Sequence, residues 1–242
     1  VDAELSDEHL AVSRMRTEQA LSKALQNNEF QLYFQPIVRL NARVTAGFEA
    51  LLRWNKPGEG LIAPDLFIPA AEESHLIEGI GRWLVAEGCR WRALLAGQYD
   101  SPLAENFTVS VNLAARQFQD EQLLDCSRQA IQDHDLEPSV MRMEVTESQI
   151  MEDFEHTITI LQGIKEIGCK IAIDDFGTGH SSLAYLSRLP VDTLKIDKAF
   201  LLDMMRDESS RKIISGVAAL ATSLGMTCTA EGGATLAQVD LL

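Results

Sequence analysis

Two adjacent carboxylates, Asp174 and Asp175, end the apolar stretch KIAIDD at residues 170–175 and are followed at once by the glycine-rich FGTG. Two anions side by side at the rim of a core repel each other and lose hydration. The pair is therefore unfavourable unless a cation or an array of donors lies beside it. The motif predicts a positively charged partner at this point of the chain.

The other strand-like stretches also carry a polar residue near their ends, where a purely structural strand would carry an apolar or turn residue. These residues are Glu49, Asn112, Glu144, Lys195 and Glu231. Taken one at a time, each has an ordinary explanation, such as Glu144 on the solvent face of an alternating strand or Glu231 as a loop acid at a helix start. Together with the paired aspartates they favour one shared site.

Seven strand-like stretches carry these residues. They are residues 31–38, 44–54, 107–113, 140–147, 170–175, 193–197 and 226–232. From the third stretch onward they alternate with helical patterns at 116–134, 154–167 and 208–224, which is typical of parallel β-α units. Only a few residues around Asn41 join the first two stretches, so we expect an antiparallel pair there.

This order of elements predicts an α/β fold, namely a modified (β/α)8 TIM-type barrel with one antiparallel strand near the N-terminus. Active sites of such barrels are built at the carboxyl ends of the strands, so the polar residues should converge on one mouth. Residues 6–28 have helical composition and spacing. We expect a linker helix region over residues 1–20 and one domain after it.

Composition and charge argue against several classes of function. The formal net charge is -15, from 21 basic and 36 acidic side chains, which disfavours a broad DNA-binding surface. The 4 cysteines form no CxxC pair, and the 5 histidines show no metal-ligand spacing. No apolar run is long enough to span a membrane, and the first residues lack a signal peptide. We therefore expect a cytoplasmic domain with free thiols and no membrane contact of its own.

Carboxylates with one amide oxygen, without His or Cys, form a hard donor set that suits Mg²⁺ or Mn²⁺ better than Zn²⁺. Two neighbouring aspartates can serve two ions, and paired ions about 4 Å apart promote in-line displacement at phosphate. We therefore predict phosphate ester hydrolysis by a metal-activated water, with Lys195 as general base or as a cation that steadies water and phosphate. An enolase-like site, in which Lys195 abstracts a carbon-bound proton, is the other interpretation from these residues alone.

Seven motifs resemble the EAL domain family, which comprises cyclic di-GMP phosphodiesterases and their inactive relatives. The motifs are FQPI (34–37), GFEALLRW (47–54), SVNLA (110–114), MEVTES (143–148), DDFGTGHSSLAYL (174–186), LKID (194–197) and AEG (230–232). The resemblance covers residues 21–242 and implies hydrolysis of cyclic di-GMP to linear pGpG with Mg²⁺ or Mn²⁺, two ions being bound with substrate. The main alternative is a weak or inactive cyclic di-GMP receptor module.

The resemblance also implies roles for individual residues. The implied metal ligands are Glu49, Asn112, Glu144, Asp174, Asp175 and Glu231, and the implied catalytic residues are Lys195 and Glu49. The implied nucleotide contacts are Gln35, Arg53 and Asp197, with Arg53 on the phosphate. Glu147 is implied to hold the DDFGTG loop, which includes Gly177, Thr178 and Gly179 and which forms part of the family's dimer contact.

The family further implies a homodimer and upstream GGDEF or sensor domains, which could also carry a membrane anchor. A start at Val1 fits such a longer protein. Two departures from the family pattern lie near the end of the chain. AEGGAT replaces AEGVET, so Gly233 and Ala234 put local order near Glu231 in question, and the chain stops at Leu242 before the eighth strand and the glutamine of the QGY motif. Because seven strands leave an open edge, we expect the native polypeptide to continue.

Overall fold

The computed structural model describes residues 17–98, 107–177, 183–233 and 235–242. In these residues eight strands form one curled sheet with the order β1-β2-β4-β5-β6-β7-β8, and the short β3 pairs with β2. The strands are β1 (Phe30–Arg39), β2 (Val44–Lys56), β3 (Gly60–Ile62), β4 (Thr108–Asn112), β5 (Met141–Thr146), β6 (Lys170–Phe176), β7 (Thr193–Ile196) and β8 (Thr227–Ala230).

The pairing of the strands confirms the predicted fold class. β1 and β2 are antiparallel, β3 is antiparallel to β2, and every pair from β2–β4 to β7–β8 is parallel. The two ends of the sheet approach each other, since Arg43 after β1 forms a 3.2 Å ion pair with Asp240 after β8. Seven strands therefore lie along the path of a barrel, between β1 at one end and β8 at the other.

Helices lie between the parallel strands, as predicted. They comprise residues 17–26, then Ile68–Glu73, Leu76–Gln98, Leu123–Asp133, Glu147–Glu152, Phe154–Ile167, Leu183–Leu186, Lys198–Asp203, Glu208–Ser223 and Leu236–Val239, with 3-10 turns at Pro64–Leu66, Ala115–Gln119 and Pro138–Val140. The sequence pattern does not predict β3 or the helix Leu76–Gln98. That helix contains several glycines, which weaken the helical signal of its sequence.

The two faces of the parallel strands differ in chemistry. On β5 the outer face carries Met141, Met143 and Val145, each almost fully buried against the surrounding helices. Glu144, on the other face, is also fully buried because that face lines the barrel interior. Apolar and polar residues do alternate along β5, as the sequence indicates. The polar face, however, points into the barrel, so the interpretation of Glu144 as a solvent-facing residue is wrong.

The first parallel pairing depends on a glycine. Gly47 of β2 lies opposite Thr108 of β4, and a Cβ at Gly47 would be 2.4 Å from Thr108 Oγ1 and 2.6 Å from the Thr108 carbonyl oxygen. Only glycine permits such a close approach of two strands. The resulting register places Glu49 beside Ser110, two residues before Asn112.

A second apolar cluster connects the N-terminal helix to the antiparallel pair. Leu21 and Ala24 of the helix are fully buried against Phe30, Trp54 and the neighbouring Phe67. The side chain of Glu29, between the helix and β1, accepts a 3.0 Å hydrogen bond from Trp54 Nε1. Among the described residues no helix has the length and apolar character needed to cross a membrane.

Candidate metal centre at the mouth of the barrel

Polar side chains from separate strands meet at one point. Glu49 comes from β2, Glu144 from β5, Asp174 from β6 and Lys195 from β7, while Glu231 directly follows β8. The four carboxylates all contact the ammonium group of Lys195. The convergence expected from parallel strands is therefore present.

Lys195 is the centre of this cluster and is only 2% exposed. Its Nζ lies 3.4 Å from Glu49 Oε2, 3.0 Å from Asp174 Oδ2 and 2.5 Å from Glu231 Oε1, and it also contacts Glu144 Oε2 directly. Burial lowers the pKa of Lys195, but the surrounding carboxylates outweigh burial and raise that pKa overall. In this arrangement Lys195 is a cation that bridges the acids.

One lysine does not neutralise the acids around it. Burial raises the pKa of Glu144 above its usual range, although Lys195 opposes the shift. Burial likewise raises the pKa of Glu231 to about 7, and burial together with repulsion from Asp174 raises the pKa of Asp175 to about 6. The cluster therefore holds more negative charge than its protein partners compensate, which favours further positive charge.

The donor set fits divalent cations. Two overlapping groups, Glu49 with Glu144 and Asp174, and Asp174 with Asp175 and Glu231, each bring one carboxylate oxygen per residue to within 4.8 Å of the others. Glu144 Oε1 is buried and has no hydrogen-bond partner among the described residues. A buried oxygen of this kind calls for a ligand, and oxygen-only donors suit Mg²⁺ or Mn²⁺.

An irregular backbone explains how two consecutive aspartates serve one site. Neighbouring residues of a regular strand point to opposite faces. Asp175, however, has a φ of 53°, in the left-handed region, and the β6–β7 register shifts between Ile173 and Phe176. The shift brings Asp175 into the same group as Asp174. Strained backbone of this kind is concentrated at functional sites.

Asn112 and Glu147 orient parts of the cluster. Asn112 Nδ2 donates a 2.9 Å hydrogen bond to Glu49 Oε1, which fixes the rotation of that carboxylate. Glu147, only 3% exposed, accepts hydrogen bonds from Tyr185 Oη at 2.8 Å and from the Gly177 amide at 3.4 Å. Gly177 has a φ of 97°, as a tight turn after β6 requires. Thr178 and Gly179 lie outside the described residues.

The residues expected to contact nucleotide border the cluster. Gln35 of β1 is paired with Glu49 of β2 in register, and Arg53 lies four residues further along the same face of β2. Asp197 directly follows β7, accepts a 2.7 Å hydrogen bond from the Ala199 amide and is hydrogen-bonded to Asp175. Sequence reasoning missed Tyr185, although it lies within the DDFGTGHSSLAYL motif.

Comparison with known proteins gives consistent matches. The sequence matches the EAL domain family over residues 18–242. It is 42% identical over 223 residues to the bifunctional diguanylate cyclase/cyclic di-GMP phosphodiesterase MucR of Pseudomonas aeruginosa, covering 92% of this chain and 32% of that protein. It is 36% identical over 234 residues to the cyclic di-GMP phosphodiesterase NbdA of the same organism, covering 96% of this chain and 29% of that protein. The chain thus spans about a third of the length of these relatives.

A solved structure named PaMucR phosphodiesterase, c-di-GMP complex, superposes on this fold with a TM-score of 0.85 at 41% identity. The superposition covers 94% of this chain and 90% of that one. The likeness therefore extends over nearly the whole fold.

Proposed function

Because this chain belongs to the EAL domain family, we propose that it hydrolyses cyclic di-GMP to linear pGpG in bacterial second-messenger signalling. The observation that carries the proposal is the pair of overlapping carboxylate groups that share Asp174. Such a pair suits two divalent ions, which together stabilise the attacking and leaving oxygens of an in-line displacement at phosphate. Both named relatives are cyclic di-GMP phosphodiesterases.

Each part of the cluster has a separate task in this proposal. Glu49, Glu144 and Asp174 would hold one ion, and Asp174, Asp175 and Glu231 the other, with Asn112 as a further oxygen donor. Bound Mg²⁺ or Mn²⁺ supplies activation of a water and neutralisation of charge that develops on the phosphate. If bound ions took up the carboxylates around Lys195, its ammonium could lose its proton, and Nζ would then accept a proton from the attacking water. As an ammonium, Lys195 would instead donate to a phosphate oxygen.

The surrounding residues would bind and orient the substrate. The guanidinium of Arg53 suits a phosphate oxygen because of its planar set of donors. Gln35 and Asp197 supply an amide and a carboxylate for hydrogen bonds to a nucleotide. Glu147 holds the start of the loop after β6 through Gly177. The roles of Thr178 and Gly179 remain predictions.

A direct assay tests the proposal. The purified domain is incubated with cyclic di-GMP and either Mn²⁺ or Mg²⁺, and pGpG is separated by chromatography, with EDTA as the metal-free control. We expect pGpG only when metal is present. Tight binding of cyclic di-GMP without product in either metal would instead assign the chain to the receptor modules of the family. Absence of both binding and product would refute the proposal.

The wider context of the domain is a separate set of proposals. We propose a homodimer, a cytoplasmic site of action and upstream GGDEF or sensor domains in the native protein, all from the family resemblance. Light scattering of the purified domain, with and without cyclic di-GMP, tests the first. A monomer at all concentrations would contradict it without affecting the catalytic proposal.

A further inference from the structure

On the inner face of the antiparallel pair, Tyr33 is an aromatic side chain that the proposed function does not use. Residues paired across antiparallel strands share a face, and side chains of one strand alternate between faces. Gln35 is paired with Glu49, and Tyr33 with Leu51. Because Glu49 points into the mouth, Tyr33 points to the same side, two residues nearer the rim.

Tyr33 is unusual in its exposure. It is 47% exposed, and it is the only aromatic residue among the exposed large hydrophobic side chains of the described residues. The other aromatic residues of the antiparallel pair, Phe30, Phe34, Phe48 and Trp54, pack behind the strands in a layer of ring contacts. Tyr33 thus has no part in the aromatic core, and packing alone does not account for a large ring at this position.

Arg53 lies beside the ring. Its guanidinium carbon is 5.8 Å from the centroid of Tyr33, within the range of a cation–π contact. One of its nitrogens, Nη1, donates a 2.7 Å hydrogen bond to the Leu52 carbonyl oxygen. This bond restrains the guanidinium near the ring, so a flat aromatic and a flat cationic group border the same part of the mouth.

We propose that Tyr33, beside the phosphate-binding guanidinium of Arg53, forms a stacking subsite for a purine base of the substrate. The proposal rests on the proposed function, since it assigns the base-binding part of the same mouth. Tyr33 is two strand residues, roughly 7 Å, beyond the level of Glu49. A base attached to a phosphodiester held at the carboxylate cluster can reach a ring at that distance. Every base has an aromatic face, so a half-exposed tyrosine is a suitable platform for it.

Kinetics with three variants of Tyr33 test the subsite. Tyr33→Ala removes the ring, Tyr33→Leu keeps apolar bulk without an aromatic face, and Tyr33→Phe keeps the face. Val38→Ala is the matched control, because Val38 is on the same strand and is also 47% exposed. Because base–aromatic stacking stabilises binding by about 1–3 kcal/mol, we expect KM for cyclic di-GMP to rise roughly 5- to 150-fold in the Ala and Leu variants. Tyr33→Phe should keep a KM for cyclic di-GMP close to that of the wild type.

A second substrate separates base binding from chemistry. Bis(p-nitrophenyl) phosphate is a phosphodiester without a purine, and we expect Tyr33→Ala to lose far less activity on it than on cyclic di-GMP. An unchanged KM for cyclic di-GMP in Tyr33→Ala, or an equal loss on both substrates, would overturn the subsite while leaving the hydrolase intact. If the wild-type domain binds cyclic di-GMP without cleaving it, Kd from titration calorimetry replaces KM with the same expectations. A wild-type domain that neither binds nor cleaves it would overturn the proposed function as well.

Discussion

Lys195 Nζ and Glu144 Oε2 are in direct contact, although 51 residues separate them in sequence and β6 lies between their strands. Both side chains are buried inside the curled sheet, at 2% and 0% exposure. Both side chains lie on the inner face of the sheet, and its curvature turns the inner faces of these non-adjacent strands toward each other. This pair makes Lys195 the internal counter-ion of the carboxylate cluster and suggests what happens when either partner is removed.

Lys195→Met should disable both the metal-free fold and catalysis. Without the ammonium, buried carboxylates face each other with no cation, and breaking a buried ion pair in this way costs about 3–5 kcal/mol. We expect a lower urea midpoint in EDTA, partial recovery of that midpoint with Mn²⁺, and pGpG formation reduced by roughly 10²–10⁴-fold. Lys212→Met is the control, since its ion pair with Glu208 is highly exposed and should contribute at most about 0.5 kcal/mol. Near-normal turnover in Lys195→Met would rule out a catalytic role.

Glu144→Gln should weaken metal binding. The substitution removes a buried anion from the group formed with Glu49 and Asp174. Loss of residues that merely orient metal ligands costs about 10- to 100-fold in affinity, so loss of a direct ligand should cost at least as much. Differential scanning fluorimetry with increasing Mn²⁺ measures the effect as a smaller rise in Tm. Glu155→Gln, at an exposed position, should keep the wild-type response; an unaltered response in Glu144→Gln would remove Glu144 from the ligand set.

Tyr185→Phe should impair turnover more than metal affinity. The change deletes a 2.8 Å hydrogen bond to Glu147 Oε1, and hydrogen bonds to charged groups contribute about 1.5–3 kcal/mol. Because Glu147 also accepts from the Gly177 amide, the start of the loop after β6 should lose restraint. We expect kcat to fall several-fold while the Mn²⁺-dependent rise in Tm persists. Thr159→Val, which removes an exposed hydroxyl bond to a helix carbonyl, serves as control. Equal losses in both variants would argue against a specific tether.

Two glycine substitutions should change stability in opposite directions. Gly47→Ala places a methyl group against Thr108 and should destabilise the fold by at least about 1–3 kcal/mol, because backbone oxygen cannot move aside easily. Gly216→Ala, in the helix Glu208–Ser223, meets no atom within 4 Å and should stabilise the fold by about 0.5–1 kcal/mol. Urea unfolding of both variants measures the difference. If Gly47→Ala were as stable as the wild type, β2 and β4 would be able to move apart without a loss of folding stability.

Two of the four thiols should be inert in the native state. Cys89 and Cys169 are fully buried, and burial raises the pKa of each thiol to about 12. Since the thiolate is the reactive form, almost none is present at pH 8. Ellman's reagent at that pH should therefore modify Cys89 and Cys169 only after urea is added, whereas Cys228 is at an exposed position. Rapid modification of all four thiols without urea would contradict the burial of this pair.

Sequence patterns predicted the convergence of the mouth because polar residues at the ends of parallel strands must meet at one rim. The spacing of Thr146 and Gln149 is that of a capping box at a helix start, and both hydrogen bonds of the box are present. The role of Lys195 as the bridge between four carboxylates was not predictable, since Glu49 and Glu144 lie on β2 and β5, which do not pair with β7. Residue spacing also could not reveal the left-handed backbone at Asp175. In a regular strand, Asp174 and Asp175 would point to opposite faces. The face of the sheet on which Tyr33 lies could be assigned only from the antiparallel register of β1 and β2.

The reversed direction of β1 has a mechanical consequence. In an all-parallel barrel the chain would enter its first strand from the floor, remote from the reacting groups. Here β1 starts at Phe30, opposite Trp54 at the far end of β2, so the helix of residues 17–26 leads directly to the rim that carries the carboxylate cluster. Leu21 and Ala24 are packed against the same strands that carry Glu49 and Arg53. A displacement of that helix would therefore act on the β1–β2 hairpin, which carries Glu49 and Arg53.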